Sequence, residues 1–196
     1  MRAFRHYLLA ASAFLASASA GLADIALSPA SPQPDEATLS QGLFVTYSYP
    51  QDVRSLDGAE HQLKKRPFAA KAPLVGFDYP DTREGDNALT SRQAFVVAAK
   101  IEGFIRFDAP GRYDLEFHSN DGLRVTIGGQ MVSEYDGRHP CSSPGAVTVQ
   151  APSAGWYALE AIYFQRQGTS CLLMEWAQAG GEMNWTPNEA FAYRPK

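Results

Sequence analysis

The chain has 196 residues, with 21 Asp and Glu against 17 Lys and Arg and a formal net charge of −4. An acidic balance without a basic stripe excludes nucleic acid or an anionic membrane surface as the main partner. A chain of this length can bury about 70% of its unfolded surface in one domain, so folding does not depend on crosslinks.

Residues 1–23 read as a secretory signal peptide. Arg2 and Arg5 supply a positive start, "YLLAASAFLASASA" an apolar stretch, and Ala18-Ser19-Ala20 or Gly21-Leu22-Ala23 a small-residue cleavage site. The apolar stretch falls short of the roughly 20 residues of a membrane span, and no later segment approaches that length. The expectation is a secreted, periplasmic or otherwise extracytoplasmic protein with no membrane span after signal removal. Residues 24–41, "DIALSPASPQPDEATLSQ", replace any apolar period with proline, serine and alanine and read as an extended linker or mobile N-terminus.

Residues 42–196 read as a single domain. Leu43, Val45, Tyr47 and Tyr49 alternate as a first strand. Between residues 50 and 91 charge, proline and glycine leave weak signals, which suit long loops with short edge strands. Lys64-Lys65-Arg66 lies there and reads as a solvated run in a polar loop. "AFVVAAKIEGFIRF", residues 94–107, is long enough for one bent strand or two.

Strict period two follows. Tyr113, Leu115 and Phe117 alternate with Asp114, Glu116 and His118, and Leu123, Val125 and Ile127 alternate with Arg124 and Thr126. Between them Ser119-Asn120-Asp121-Gly122 has the chemistry of a hairpin turn, because Asn, Asp and Gly tolerate unusual backbone angles. Gly128-Gly129 marks a second tight turn. "AVTVQ", "WYALEAIYFQ" and "CLLMEWA" add three strands, separated by "APSAG" and "RQGTS".

Short strands without a sustained helical period predict an all-β fold, an antiparallel β-sandwich or a closed barrel. Trp156, Trp176, Phe104, Phe107 and Phe117 are the expected aromatic core. Cys141 and Cys171 are the only cysteines. In an exported chain they read first as a disulfide, with a metal site or catalytic thiol as the alternative.

No Gly-x-Ser-x-Gly elbow, His-Glu-x-x-His or glycine-rich phosphate loop occurs. His118 sits on a polar strand face, and His61 and His139 stand alone in expected loops. The residues therefore predict a non-catalytic protein.

The order "GFIRFDAPGRYDLEFHSNDGLRVTIGGQMV", "AGWYALEAIYFQ", "CLLMEW" resembles the PA-fourteen domain, a jelly-roll-related β-sandwich named after a bacterial toxin's protective antigen. The resemblance covers residues 103–176 well, and "QGLFVTYSY" is similar to its usual first strand. What it implies is a secreted binding module that recognises a glycan or cell-surface polysaccharide, in the best-defined members with calcium as the cofactor. In those relatives two consecutive aspartates, joined by a cis peptide, hold calcium with an asparagine and backbone oxygens from a later loop. Carried onto this chain, the aspartates fall on Asn120 and Asp121, the asparagine falls about at Gln165, and the later loop near residues 165–169. Asp121 matches, whereas Asn120 replaces a carboxylate with an amide and lowers the charge that sets calcium affinity.

The resemblance also implies that the residue 119–122 turn, the "FQRQGTS" hairpin and the "SEYDGRHPCSSPG" loop share one end of the sandwich. Arg166, Tyr135 and His139 are then candidates to grip sugar hydroxyls or a ring face. A second reading keeps the fold but has it dock another envelope protein, with the acidic pair reduced to a turn.

Overall fold

The alternation expected between residues 94 and 107 becomes one continuous strand in the computed structural model, which describes residues 24–195. The signal-peptide reading of residues 1–23 lies outside the described residues. In chain order the elements are β1 (Ile25–Ala26), β2 (Ser40–Gln41), β3 (Phe44–Ser48), α1 (Leu56–Lys65), β4 (Phe68–Ala69), β5 (Asp78–Tyr79), β6 (Val97–Phe107) and β7 (Gly111–Asn120). They continue with β8 (Leu123–Ile127), β9 (Gln130–Tyr135), β10 (Val147–Ala151), β11 (Gly155–Gln165), β12 (Cys171–Gln178), β13 (Asn184–Trp185) and β14 (Phe191–Tyr193).

These strands form two sheets. One runs β1-β10-β7-β12-β13, with β5 also on β12; the other runs β2-β14-β6-β11-β8-β9, with β3 on β6 and β4 on β3. The pairings are antiparallel except β1 with β10. The inward set of each strand follows its period: Val97, Ala99, Ile101, Ile105 and Phe107 from β6 meet Tyr113, Leu115 and Phe117 from β7, with Tyr157, Leu159 and Tyr163 from β11 between. Burying such side chains is worth about 1.5–3 kcal/mol each and holds the layers together.

Strand parity also corrects the expected core. Phe104 is out of step with the inward residues Ile101, Ile105 and Phe107 and is only half-buried on the outer face. Trp176 is half-buried at the rim, its ring 5.8 Å from Phe107 and 6.1 Å from Tyr113. Trp156 is buried, but beneath the Arg106 guanidinium 5.6 Å away rather than in the main core.

Three further expectations change. Residues 24–41 are docked: β1 and β2 join the two sheets, and the Gln33 amide both accepts the Trp156 N–H (2.8 Å) and donates to its carbonyl (3.0 Å). Residues 50–91 contain α1, whose Leu56, Ala59 and Leu63 recur on one face and pack with Ala98 and Phe164 on the outside of the larger sheet. Ser55 caps α1 by accepting the Gly58 N–H at 3.2 Å, and Lys64 and Lys65 lie in its last turn, where cations suit the helix dipole. The basic run is a helix end, not a loop.

The third change matters most for function. β7 lies in one sheet and β8 in the other, so residues 120–122 are not a hairpin but a crossing between sheets. The same holds for β11 to β12, whereas β8 and β9 are a true hairpin through Gly128 and Gly129 at φ 55° and 77°. Turn residues alone cannot distinguish a return from a crossing. The partners do: β7 pairs with β10 and β12, and β8 with β11 and β9.

Candidate functional site

Two crossings meet at one end of the sandwich. The Asp121 N–H donates to the Phe164 carbonyl at 3.1 Å and the Phe164 N–H donates to the Gly122 carbonyl at 3.0 Å, which ties residues 120–122 to the end of β11. Gly122 is needed here for space rather than for its backbone angle, since a Cβ would lie 2.3 Å from the Phe164 ring. The Asn120–Asp121 peptide is cis, the arrangement implied by the resemblance. From the interior the buried Tyr163 hydroxyl donates to the Asn120 carbonyl at 2.6 Å.

The third loop, residues 136–146, is attached at two points. Cys141 and Cys171 form a disulfide, and Cys171 lies opposite Asn120 across the β7–β12 pair. Ser142 and Ser119 exchange backbone hydrogen bonds of 3.1 and 3.2 Å. The Asp136 carboxylate then accepts the Leu56 N–H at 2.8 Å, so the loop also braces the start of α1. All three segments enclose an open pocket of about 510 Å³ lined by Asn120, Asp121, Arg138, His139, Pro140, Gln167, Gly168 and Thr169.

Asp121 is 1% exposed. One carboxylate oxygen, Oδ2, accepts the Arg166 backbone N–H at 2.7 Å, while Oδ1 is buried and makes no hydrogen bond of ordinary geometry, although the His139 backbone N–H lies near the carboxylate. Burial pushes this carboxyl above its ordinary value of 3.8, against the backbone N–H groups of Arg166 and His139, which pull it down. Gln165 is fully buried, and its Nε2 donates to the carbonyls of Gln167 (3.0 Å) and Thr169 (2.6 Å), leaving Oε1 without a partner. Asn120 donates from Nδ2 to the Thr169 hydroxyl at 3.0 Å.

The expected site residues thus divide. Asn120, Asp121 and His139 line the pocket, and Gln165 is buried behind the loop it holds. Arg166 contributes its backbone N–H, while its side chain pairs with Asp52 at 3.0 Å outside the pocket. Tyr135 does not line it either, but stacks on His139 with ring centroids 3.6 Å apart. Asp52 comes from the stretch of residues 50–91 whose sequence signals are weak, and its arginine partners Arg54 and Arg166 hold its carboxyl down at about 2. Gln167 and Thr169 belong to the residue 165–169 loop that the resemblance assigned to the site, whereas Arg138 carries no periodic or motif signal and only its loop position could have suggested it.

The oxygens around this loop suit a hard cation. Asp121 Oδ1 and Gln165 Oε1 are buried oxygens lacking partners, the Gln167 and Thr169 carbonyls converge on the Gln165 amide, and Asn120 reaches the same loop through the Thr169 hydroxyl. Such an all-oxygen set is what calcium takes. A separate group, Glu116, His118 and Glu175, lies on the outer face of the smaller sheet. It is internally satisfied: His118 Nε2 lies 3.4 Å from Glu175, and Ser143 donates to Glu116.

Two packed sheets whose crossing loops form a crosslinked pocket at one end define the class of fold, a β-sandwich domain. The family model for the PA14 domain matches residues 80–190, more than half of the chain, and the chain belongs to the PA14 domain family. A comparison with curated proteins gives no match. Among solved structures the chain is similar to the PA14 domain of the MpAFP antifreeze protein, with 14% identity over 82% of this chain and 93% of that one, TM-score 0.64. It is similar to the PA14 sugar-binding domain from an RTX adhesin, with 18% identity, 78% and 98% coverage and TM-score 0.62. It is also similar to the epithelial adhesin 9 A domain of Candida glabrata in complex with Galb1-3GlcNAc, with 14% identity, 88% and 97% coverage and TM-score 0.63. At these identities the likeness is one of fold.

Proposed function

We propose that this chain is a non-catalytic carbohydrate-binding module that recognises a glycan through the pocket around Asp121, assisted by calcium. The observation that carries this reading is the pair of partnerless buried oxygens, Asp121 Oδ1 and Gln165 Oε1, behind three mutually tied loops. A buried carboxylate with an unused oxygen costs free energy unless something pairs with it. Asp121, Asn120 and Gln165, with the Gln167 and Thr169 carbonyls, would hold the cation, which supplies a Lewis-acidic centre for neutral sugar hydroxyls. The chain's own part is to keep those oxygens dry and the loops rigid. Proteins of the same fold support a glycan ligand: the RTX adhesin domain is a sugar-binding domain, and the epithelial adhesin 9 domain is in complex with Galb1-3GlcNAc.

An extracytoplasmic location accords with the disulfide, which persists in oxidising compartments. Among the described residues no helix is long and apolar enough to cross a membrane. One observation favours the second reading, docking onto another envelope protein: position 120 carries a neutral amide, Asn120, where the resemblance places a second carboxylate for the cation.

Calcium titration of the mature protein, followed by a glycan panel with and without chelator, separates the two. A calcium-linked rise in melting temperature and a chelator-sensitive glycan signal are expected. Neither shift nor signal would overturn the carbohydrate reading in favour of protein docking.

A further inference from the structure

We propose that the pocket selects sugars bearing a carboxylate, such as the uronic acid units of an anionic polysaccharide, and that Arg138 is the residue that pairs with it. This deepens the glycan reading above and rests on it.

The first argument is the charge at the pocket wall. Asp121 is the one acid lining it, and that carboxylate is buried and held from behind by the Arg166 N–H. The remaining wall is Asn120, Gln167, Gly168, Thr169 and Pro140, which are neutral, with His139 and the exposed Arg138. A ligand therefore meets a cation and amides, not acids.

The second argument is the state of that cation. Neighbouring arginines have acidic partners: Arg166 pairs with Asp52 at 3.0 Å, and Arg124 with Glu134 at 2.5 Å and Asp57 at 3.1 Å. Among the described residues Arg138 makes no such direct ion pair, its acidic neighbour being the buried Asp121, whose carboxyl, raised by burial, its charge helps to pull down. Its two terminal nitrogens instead lie 3.1 Å from the side-chain oxygen of Gln167, with that amide turned to accept them. A neutral acceptor positions the guanidinium without discharging it. Arginine's planar fork matches a carboxylate in two parallel hydrogen bonds, an arrangement no hydroxyl reproduces.

The third argument concerns the amide at position 120. A divalent cation held by Asp121 would bring two positive charges against one negative, and Arg138 adds a third. With Asn120 in place of an acid, the site stays in positive excess, and a sugar carboxylate is the group that relieves it. The carboxylate missing from the chain is then brought by the ligand. A local positive site on a chain with net charge −4 also makes recognition depend on ionic strength, because the rest of the surface repels a polyanion.

The test is isothermal titration of the mature protein, in excess calcium, with trigalacturonate, its fully methyl-esterified form and trigalactose. The ester keeps the shape and removes the charge. Trigalacturonate should bind about tenfold or more tightly than either neutral sugar, as expected for a charge-assisted pair. Arg138→Gln should bring that ratio close to one, and Arg138→Lys should recover only part of it; a melting curve on each variant checks the fold. Equal binding of the acid and its ester in the parent protein overturns the proposal while leaving the glycan reading in place. So does an undiminished preference in a folded Arg138→Gln protein. Binding of none of the three, together with silence on a broad neutral panel, overturns the glycan reading and this proposal with it.

Discussion

The backbone N–H of Arg166 donates to Asp121 Oδ2 at 2.7 Å and leaves the other oxygen of the same buried carboxylate without a hydrogen bond of ordinary geometry. One crossing between the sheets thus holds the acid carried by the other. The position of the negative charge is fixed by backbone, which does not depend on side-chain rotamers.

Asp121→Ala should abolish calcium-dependent stabilisation while leaving the metal-free fold near intact, since it removes a charge that is poorly paired in the absence of a cation. In the parent protein, calcium at a hundred times its Kd should add about 2.7 kcal/mol. That corresponds to a melting shift of about 5–10 °C for a domain of this size. Differential scanning calorimetry with and without chelator checks both proteins. An undiminished shift in the variant would move the site elsewhere.

Asn120→Asp should change the two states in opposite directions. A second carboxylate raises calcium affinity by about tenfold or more through charge count. Without calcium the variant should melt lower than the parent, because position 120 is 6% exposed and the new acid loses the hydrogen bond that Asn120 donates to Thr169. Melting curves at matched calcium concentrations read both effects.

The pH dependence follows from Asp121. Its folded-state carboxyl is raised above 3.8 by burial, so the native state binds this proton more readily than the unfolded chain. The group's unfavourable contribution at neutral pH should therefore be relieved as pH falls through the raised value, in the metal-free protein. Calcium needs the carboxylate, so its apparent affinity should fall over the same interval, beginning above the range of an exposed aspartate. Calcium titrations from pH 7 to pH 4 test this, with Asp121→Asn expected to flatten both trends.

Gly122→Ala should destabilise by about 1–3 kcal/mol, because the added Cβ would lie 2.3 Å from the Phe164 ring and force it off its place against α1. Urea unfolding should show a lower midpoint with an unchanged slope. A neutral result would mean that Phe164 can move aside freely.

Replacing both cysteines by serine opens a crosslink spanning 30 residues and should cost about 3–4 kcal/mol in the chain-entropy model. The same change should weaken ligand binding beyond its effect on folding, since residues 136–146 would lose their one covalent tie and be held by hydrogen bonds alone, those of Ser142 to Ser119, Asp136 to Leu56 and Ser143 to Glu116. Comparing titrations well below the melting temperature isolates that second effect.

The strands after residue 94 were legible because half-buried strands write their burial into the sequence with period two, as Tyr113, Leu115 and Phe117 do. The helix α1 was not, since its buried face needs only Leu56, Ala59 and Leu63 amid charge, and their partners Ala98 and Phe164 lie far along the chain. Nor was the docking of residues 24–41, which depends on Gln33 meeting the Trp156 backbone. For the site, Asn120, Asp121 and the loop of residues 165–169 followed from the order of motifs, whereas Arg138 became visible only once three loops stood together.

By itself the sequence determined the strands, their inward faces, the family pattern and the lone amide at position 120, all of them local or ordered along the chain. The tertiary structure decided that Ser119-Asn120-Asp121-Gly122 crosses between sheets instead of turning back, because that depends on which distant strand each flank pairs with. That choice takes Asp121 out of solvent and puts it at a pocket, with one of its oxygens left without a hydrogen bond.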